Sequence, residues 1–499
     1  MIWQSWWEQN CLHYLKWREP ISWVTVKNTG ETISVASEVQ KKMIQEVFIP
    51  CLKEDKNAIA RASAALALAK MEDQSSLATL KEALNQDKDF DVKRTVAFSL
   101  AMLQDKDTIN EIIELTNNNQ AKFSKFLDRP TALLILGYIK NPAVLESING
   151  VFDPKKKSDT ETQCAALLAL ANFKDKSYIP LISNILNDKS KDANIRVYAA
   201  LALGFIKDPS ALPELKKALD EKDNSIRSSA VMALGMIKSP DSKNDLINLL
   251  NKDKNAEVKA YTLLSLAQLR DASTYPTLSK ISASKDYFLQ GVSAISWGIT
   301  GNEKILPELR ELVEKKKRPM AYNAAIVAVG LLNDKKSVPI LMKVLEKDKA
   351  DQIAWAYAVQ SLAMIGDNQI TPALEKIFEE DQKKCSLTTE AYNNLLVALT
   401  VLGKRKEVLS VLTKQLEDKN LANDIKLNTL HGIGYIGDKS SIEPLINAYK
   451  QEKDNWVRMY AVQSLLLLLE KETINCYCCV IANYNFSINR LILDYMFAK

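Results

Sequence analysis

The sequence contains an internal repeat. Residues 194–206 read NIRVYAALALGFI, and 31 positions later residues 225–237 read SIRSSAVMALGMI. Between the two copies, Leu212, Leu215 and Leu219 have the i, i+3, i+7 spacing of one helix face. Periods of about 20 to 50 residues are typical of solenoid proteins, so the sequence predicts a stack of helix hairpins.

The small residue after the last leucine of each copy, Gly204 or Gly235, defines an anchor position. Equivalent positions occur along most of the chain: Ala69, Ala101, Gly137, Ala171, Gly204, Gly235, Ala267, Gly298, Gly330, Ala363, Thr400, Gly434 and Leu466. They define repeats 1 to 13, with neighbouring anchors 31 to 37 residues apart. The widest gap contains the polar insertion 379–384, which we expect to form a loop.

Three positions of the repeat predict how the second helix of each hairpin packs. The residue before the anchor is apolar in every repeat. The residue five before it is mostly small, as at Ala199 and Ala230, and the residue two after it is mostly apolar, as at Ile206 and Ile237. These offsets lie on one helical stripe, so we expect the second helices to be pressed closely between neighbouring repeats.

A polar residue four positions after the anchor predicts the start of the next helix. Its side chain can accept a hydrogen bond from an otherwise unpaired amide of that helix. Cap-forming residue types occupy this position in most repeats: Asp73, Asp105, Asn141, Asp175, Asp208, Ser239, Asp271, Asn302, Asp334, Asp367 and Asp438. Prolines such as Pro180, Pro213 and Pro307 follow in the first turn, where their missing amide proton costs little.

Residues 192–215 and 223–246 closely follow the pattern D-x-x-V-R-x-x-A-x-x-A-L-G-x-I-x-D-x-x-x-x-x-x-L. In this pattern the chain resembles the HEAT-repeat family, in its short bacterial form related to the phycobilisome-lyase HEAT-like repeats, over about residues 45–470. The resemblance implies an all-α fold, a right-handed α-solenoid (superhelix) of about thirteen helix hairpins. Such repeats serve as scaffolds, adaptors, lyases and nucleic-acid enzymes, so the resemblance implies no single function.

The two ends depart from the repeat, which divides the chain into residues 1–44, a solenoid of residues 45–470 and a tail of residues 471–499. A terminal repeat has an apolar face with no neighbouring repeat to shield it from solvent. We therefore predict that the first segment is a Trp-rich cap on repeat 1. Its tryptophans are Trp3, Trp6, Trp7, Trp17 and Trp23. An aromatic docking surface is the alternative, and residues 23–35 have the composition of a short β-hairpin.

The tail is apolar and carries Cys476, Cys478 and Cys479. A metal site there would lack a fourth ligand and a usual zinc spacing. We expect instead a packed cap, or a segment that arises from a shifted reading frame.

No residue pattern indicates catalysis. The chain has two histidines, His13 and His431, and neither belongs to a nucleophile motif. His431 replaces an apolar residue three positions before the anchor, which favours a core histidine with a hydrogen-bond partner. The glycines of residues 432–437 fit the repeat helix and follow no strand, so they predict no phosphate loop. We therefore predict no catalytic residue, metal or cofactor.

Composition limits the possible partners and location only weakly. Sixty-six basic and 61 acidic residues give a net charge of +5, too small to require an acidic partner. Seven cysteines, an odd number, argue against a disulfide framework and for a reducing compartment. No stretch is long and apolar enough to span a membrane, and the first residues lack the layout of a signal peptide. We expect a cytoplasmic protein, unless the natural N-terminus is longer.

The position eight residues before the anchor forms a basic ladder: Arg61, Lys93, Arg129, Arg196, Arg227, Lys259, Lys426 and Arg458. Each cation either pairs with the aspartate column of its own or a neighbouring repeat, or offers a charge to a ligand. Aromatic residues interrupt the ladder at Tyr322, Trp355 and Tyr392, and Tyr357 lies close by in sequence. Because aromatic side chains are common binding anchors, we predict that these four residues bind a partner.

Three functions remain possible. The first is a non-catalytic scaffold or adaptor that binds another protein or a peptide along the solenoid. The second is nucleic-acid binding through the basic ladder, which would weaken steeply with salt. The third, a lyase-like enzyme, is suggested only by the resemblance and would require chemistry that two histidines support poorly.

Overall fold

The computed structural model of the chain describes residues 25–26, 32–33, 36–117, 121–153, 158–282, 286–316, 319–347, 351–384, 386–418 and 421–469. Residues 1–24 and 470–499 lie outside this range, so the Trp-rich cap and the alternatives for the cysteine-containing tail stay predictions. Two short strands, Thr25–Val26 and Thr32–Ile33, pair antiparallel where the sequence predicts a hairpin, with Thr25 opposite Ile33.

The remaining elements are helices that alternate as the first and second helix of each repeat. In repeat 1 the first helix is α1 (Ala36–Met43), which continues through a π-helical turn (Ile44–Phe48) into α2 (Ile49–Glu54). The first helices of repeats 2 to 13 are α4 (Leu77–Gln86), α6 (Lys106–Asn117), α8 (Ala143–Val151), α10 (Ile179–Asn187), α12 (Leu212–Ala218), α14 (Lys243–Lys252), α16 (Tyr275–Ser282), α18 (Leu306–Lys315), α20 (Val338–Lys347), α22 (Thr371–Lys384), α24 (Arg405–Leu416) and α26 (Ile442–Gln451).

The second helices of repeats 1 to 13 are α3 (Ala58–Lys70), α5 (Phe90–Met102), α7 (Arg129–Tyr138), α9 (Thr160–Phe173), α11 (Ala193–Ile206), α13 (Asn224–Ile237), α15 (Ala256–Gln268), α17 (Tyr287–Thr300), α19 (Pro319–Leu331), α21 (Gln352–Ile365), α23 (Thr389–Val401), α25 (Asn423–Ile436) and α27 (Asn455–Leu468). The predicted all-α solenoid of helix hairpins is confirmed, with thirteen hairpins in the described part of the chain. The insertion 379–384 does not form a loop; it lengthens α22.

In most repeats the predicted cap begins a short 3-10 turn that leads into the first helix, such as Pro209–Ala211 before α12. The Asp208 carboxylate accepts a hydrogen bond from the backbone N–H of Ser210 at 2.9 Å, and Asp438 forms a reciprocal capping box with Ser441. Asp334 differs, because its carboxylate accepts hydrogen bonds from Arg310 and from the hydroxyl of Ser337. The cap column therefore separates one hairpin from the next.

The apolar residue before the anchor forms the centre of every hairpin interface. All thirteen side chains at this position, from Leu68 to Leu465, have 0% of their surface exposed. The small anchor beside it allows close helix packing. A Cβ atom built on Gly204 would lie 2.6 Å from the Cα of Ala233, and one on Gly434 would lie 2.7 Å from the Cα of Ser464.

The helices form two compact units, each built by stacking the second helices of consecutive repeats. The first unit spans Glu111–Ile365, where α7, α9, α11, α13, α15, α17, α19 and α21 pack in that order. The second unit combines the described residues up to Asn110 with those from Gly366 to Leu469. In it, α3 packs on α5, and α23, α25 and α27 pack in succession.

The second unit also joins repeat 13 to repeat 1, because α27 packs against α3. The ammonium of Lys450 pairs with the carboxylate of Glu46 at 2.7 Å, and Lys42 pairs with Glu443. Repeat 13 thus covers one side of repeat 1. The physical reason is that both terminal repeats expose the same type of apolar helix face and bury it against each other.

Candidate interaction surface at the hairpin loops

The basic ladder lies at the loops that join the first and second helices, and most of it forms ion pairs between repeats. Arg61 donates two hydrogen bonds to the Asp87 carboxylate, at 2.7 and 2.9 Å, and Arg227 donates two to Asp253, at 2.7 and 3.2 Å. Each base pairs with an acid that lies fourteen residues before the anchor of the next repeat. These acids are not members of the predicted aspartate column, so that pairing is wrong for Arg61 and Arg227, although their pairs do join neighbouring repeats.

Other ladder residues follow the same arrangement or bind backbone carbonyls. Arg196 pairs with Glu221 at 2.6 Å, and Lys426 pairs with Glu452 at 2.7 Å. Lys93 donates to the carbonyl of Asn85 and Arg129 to that of Thr116. The Lys259 side chain forms no ion pair or hydrogen bond with another described residue.

The ladder also affects the acidity of its partners. Burial alone would raise the pKa of Asp87 and Asp253. The hydrogen bonds from Arg61 and Arg227, with those from nearby backbone amides, nevertheless hold the pKa of both carboxyl groups below the usual value. These ion pairs therefore connect neighbouring loops, and they engage the charges that a nucleic-acid ligand would need.

Arg458 extends the ladder from repeat 13 to repeat 1. Its guanidinium donates to the Asp55 carboxylate at 3.0 Å through Nε, and its Nη2 lies 2.8 Å from the same carboxylate. Nη2 also donates to the Tyr449 hydroxyl at 2.8 Å. Because Asp55 lies fourteen residues before the anchor of repeat 1, this pair has the same register as the pairs between consecutive repeats.

The predicted aromatic anchors are not on the surface. Tyr322, Trp355, Tyr357 and Tyr392 have only 2 to 5% of their surface exposed, which contradicts their interpretation as exposed partner-binding residues. The Tyr392 ring stacks on Phe378, and its hydroxyl accepts a hydrogen bond from the side-chain amide of Gln382 at 3.1 Å. Both contacts come from α22, the first helix of the same repeat, which covers the Tyr392 ring.

Different apolar residues are exposed at this edge, at the first or second residue of four second helices. Tyr287 in repeat 8 is 61% exposed and Ile353 in repeat 10 is 52% exposed; Phe90 and Trp456 are exposed in repeats 2 and 13. The equivalent positions in other repeats are polar in some, such as Asn194, Ser225 and Glu257, and apolar in others, such as Ile59 and Leu127. Sequence reasoning missed these residues, because both positions are apolar in several other repeats and no column marks the exposed ones.

His431 is partly buried, and it has the hydrogen-bond partner that the sequence predicts. Its Nδ1 lies 3.2 Å from the Asn393 side-chain oxygen, and its ring stacks on Tyr435 with the ring centroids 5.9 Å apart. Burial lowers the pKa of His431 to about 4, so the ring is neutral near pH 7. A neutral histidine held by an amide and aromatic rings favours the structural interpretation of this residue.

The described part of the chain bears on metal binding and on the ionisation of two cysteine thiols. It contains no group of three or more His, Cys, Asp and Glu side chains that could hold a metal ion. Burial raises the pKa of Cys164 to about 12 and also raises that of Cys51, so neither thiol ionises readily near pH 7. Among the described helices, none has the length and apolar character that crossing a bilayer requires.

Comparison with known proteins identifies the repeat. A sequence profile described as HEAT repeats matches residues 46–125, 154–235 and 185–260. No curated protein sequence matches the chain. Similar solved structures include yeast importin-β (Kap95p), with 14% identity over 87% of this chain and 70% of that chain and a TM-score of 0.39.

Two further structures show weaker similarity. The CpcE and CpcF complex of phycocyanin lyase from Nostoc sp. PCC7120 has 15% identity over 51% of this chain and 93% of that chain, with a TM-score of 0.34. Human deoxyhypusine hydroxylase has 15% identity over 53% of this chain and 98% of that chain, with a TM-score of 0.25. Similarity at this level gives no information about activity. The chain is an α-solenoid of helix hairpins, and its residues 46–125 and 154–260 match the profile of HEAT repeats.

Proposed function

We propose that this protein is a non-catalytic scaffold or adaptor that binds another protein or a peptide. The observation that carries the proposal is the exposure of Tyr287 and Ile353 at one loop edge of the first unit. Single exposed apolar residues are common on protein surfaces. Here, however, they occur in repeats 8 and 10, where the basic ladder is absent.

The residues beneath this edge support an apolar contact surface. Repeats 8 to 10 carry Gln290, Tyr322 and Trp355 at the ladder position, and all three side chains are buried. The loops there consequently lack the ladder ion pairs that surround Arg196 and Arg227. With helix layers about 8–10 Å apart, Tyr287 and Ile353 are separated by roughly 20 Å, a distance that an extended peptide or a partner helix can span.

Affinity capture from native extract tests the proposal. The wild-type protein is compared with Tyr287→Ser/Ile353→Ser, in the presence of nuclease. Val411→Ser is the matched control, because Val411 is exposed in the middle of α24 and not at the start of a second helix. Since truncated hot-spot residues often cost about 2 kcal/mol or more, the double variant should bind the captured partner at least roughly tenfold more weakly than the wild type or the control.

Two results would contradict the proposal. Equal capture by the wild type and the double variant would show that Tyr287 and Ile353 do not belong to the binding site. Capture that occurs only without nuclease would favour nucleic-acid binding. No specific observation favours that alternative through the basic ladder, and none favours a lyase-like activity.

A further inference from the structure

The opposite loop edge carries a second set of basic residues. Second helices end three residues after the anchor at a residue with positive φ. In repeats 3 to 7 this residue is Lys140, Lys174, Lys207, Lys238 or Arg270, with φ between 51° and 60°. We call these five residues the basic stripe. They lie in consecutive repeats of the first unit, and all five side chains are exposed.

A cation is not needed to end these helices. The left-handed conformation favours glycine, and other residues adopt it at a cost of about 1 kcal/mol. Repeats 8, 10 and 11 use Gly301, Gly366 and Gly403 at the same position. A lysine near a helix C-terminus gains a favourable interaction with the helix dipole, but that gain applies equally to the repeats that carry glycine. Five consecutive cations therefore point to a role beyond capping.

The stripe brings like charges together. Burial and the positive charges of Lys174 and Lys238 both lower the pKa of Lys207, so the three ammonium groups are close enough to repel one another. Because the stripe follows the stack of second helices, its members are spaced by about 8–10 Å, the distance between packed helices. A row of cations with this spacing matches a ligand with regularly spaced negative charges.

The neighbouring residues favour a peptide over a nucleic acid. Asp175, Asp208 and Asp271 directly follow stripe residues, and hydrogen bonds hold the pKa of each carboxyl below its usual value. Duplex DNA carries one negative charge per about 1.7 Å of axis, so its phosphates would also face these carboxylates. A polyproline II peptide repeats every third residue after about 9 Å, which matches the repeat spacing.

We propose that the basic stripe binds an acidic peptide segment of a partner protein, in an extended conformation with a carboxylate at about every third residue. Each carboxylate pairs with the cation of one repeat. The uncharged residues of the peptide lie next to the aspartates that follow the stripe residues. The stripe lies at the edge opposite Tyr287 and Ile353, because the two loops of a helix hairpin are at opposite ends. It is therefore independent of the surface in the proposed function.

Fluorescence anisotropy with a labelled peptide tests this proposal. The probe carries glutamate at every third position between prolines, and a second probe carries glutamine instead. Wild-type protein should bind the glutamate probe and not the glutamine probe. Lys174→Gln/Lys207→Gln/Lys238→Gln should bind roughly tenfold more weakly, since each exposed ion pair contributes a fraction of a kcal/mol.

Two matched variants separate the stripe from general charge effects. Lys189→Gln/Lys222→Gln/Lys254→Gln removes the same charge from exposed lysines at the opposite edge, and it should bind like the wild type. Lys174→Arg/Lys207→Arg/Lys238→Arg keeps the charge and should also retain binding. A loss of affinity in both glutamine variants would overturn the proposal, as would wild-type protein that does not bind the probe.

A nucleic-acid probe separates the two ligand classes. Tighter binding of labelled oligothymidylate, with a steep dependence on salt, would also overturn the proposal. Capture of the partner that depends on Tyr287 and Ile353 should be unchanged in the stripe variant. A failure of the stripe proposal can therefore be distinguished from a failure of the proposed function.

Discussion

Two glycines of one helix, Gly432 and Gly434, should respond oppositely to the same substitution. Both lie inside α25, so replacement by alanine should stabilise the helix by about 1 kcal/mol in each case. At Gly434 the new Cβ would lie 2.7 Å from the Cα and Cβ of Ser464 in repeat 13, and the backbone of α27 would have to move. The hydrogen bond from the Ser464 hydroxyl to the Leu430 carbonyl, 2.7 Å long, would be displaced as well.

At Gly432 the obstacle is smaller. The closest atom to the new Cβ is the terminal Cδ1 of Leu396, at 2.6 Å, and this methyl group can rotate away. Overpacking a close helix contact typically costs about 1–3 kcal/mol, which exceeds the propensity gain only at Gly434. We expect Gly432→Ala to be close to neutral and Gly434→Ala to lower the free energy of unfolding by about 2 kcal/mol relative to it.

Urea denaturation of both variants, followed by far-UV circular dichroism, measures this difference. Stack contacts in solenoids are local, so the change should appear in the transition of the terminal repeats. If both alanine variants stabilise the protein equally, the second helices of repeats 12 and 13 are not in close contact and the packing argument is wrong.

Two further predictions concern pH. The pKa of Asp253 is lowered in the folded state, so its pair with Arg227 stabilises the fold above the ordinary carboxyl pKa of 3.8, and this contribution is lost as the pH falls through the lower folded value. When unfolding is followed as the pH is lowered, Arg227→Gln should lack the loss of stability that comes from Asp253. A pH profile identical to that of the wild type would contradict this prediction. The pKa of His431 is lowered from 6.5 to about 4, so stability should fall as the pH decreases through this window, where only the unfolded chain takes up the proton. His431→Leu should remove that decrease in thermal unfolding measurements, whereas an identical slope would show that another group titrates.

The fold could be predicted because each repeat encodes its own contacts. The apolar residue before the anchor, the small anchor and the cap four residues later each act within one hairpin or between neighbours. Their repetition specified thirteen hairpins without any long-range information. The contact between repeats 1 and 13 was not predictable in this way, because no pattern in the sequence relates Asp55 to Arg458.

The candidate sites were harder to predict, because a sequence column does not show which of its members are enclosed. Trp355 and Tyr392 resemble surface anchors in the sequence, but both side chains are buried. The basic stripe was not predicted from the sequence for another reason. Lysine is an uncommon residue in the left-handed conformation, so Lys174 and Lys207 gave no helix-end signal of the kind that glycine gives.

The central structural claim is that the basic ladder joins repeats, including repeat 13 to repeat 1. A double-mutant cycle between Asp55 and Arg458, 403 residues apart in sequence, tests it most directly. Asp55 is buried and Arg458 is partly exposed, so Asp55→Asn should cost about 2 kcal/mol in the free energy of unfolding. Much of that cost should disappear in the Arg458→Met background, which corresponds to a coupling energy of about 1–2 kcal/mol. Additive effects of the two substitutions would show that the terminal repeats do not pair, and would contradict this account of the fold.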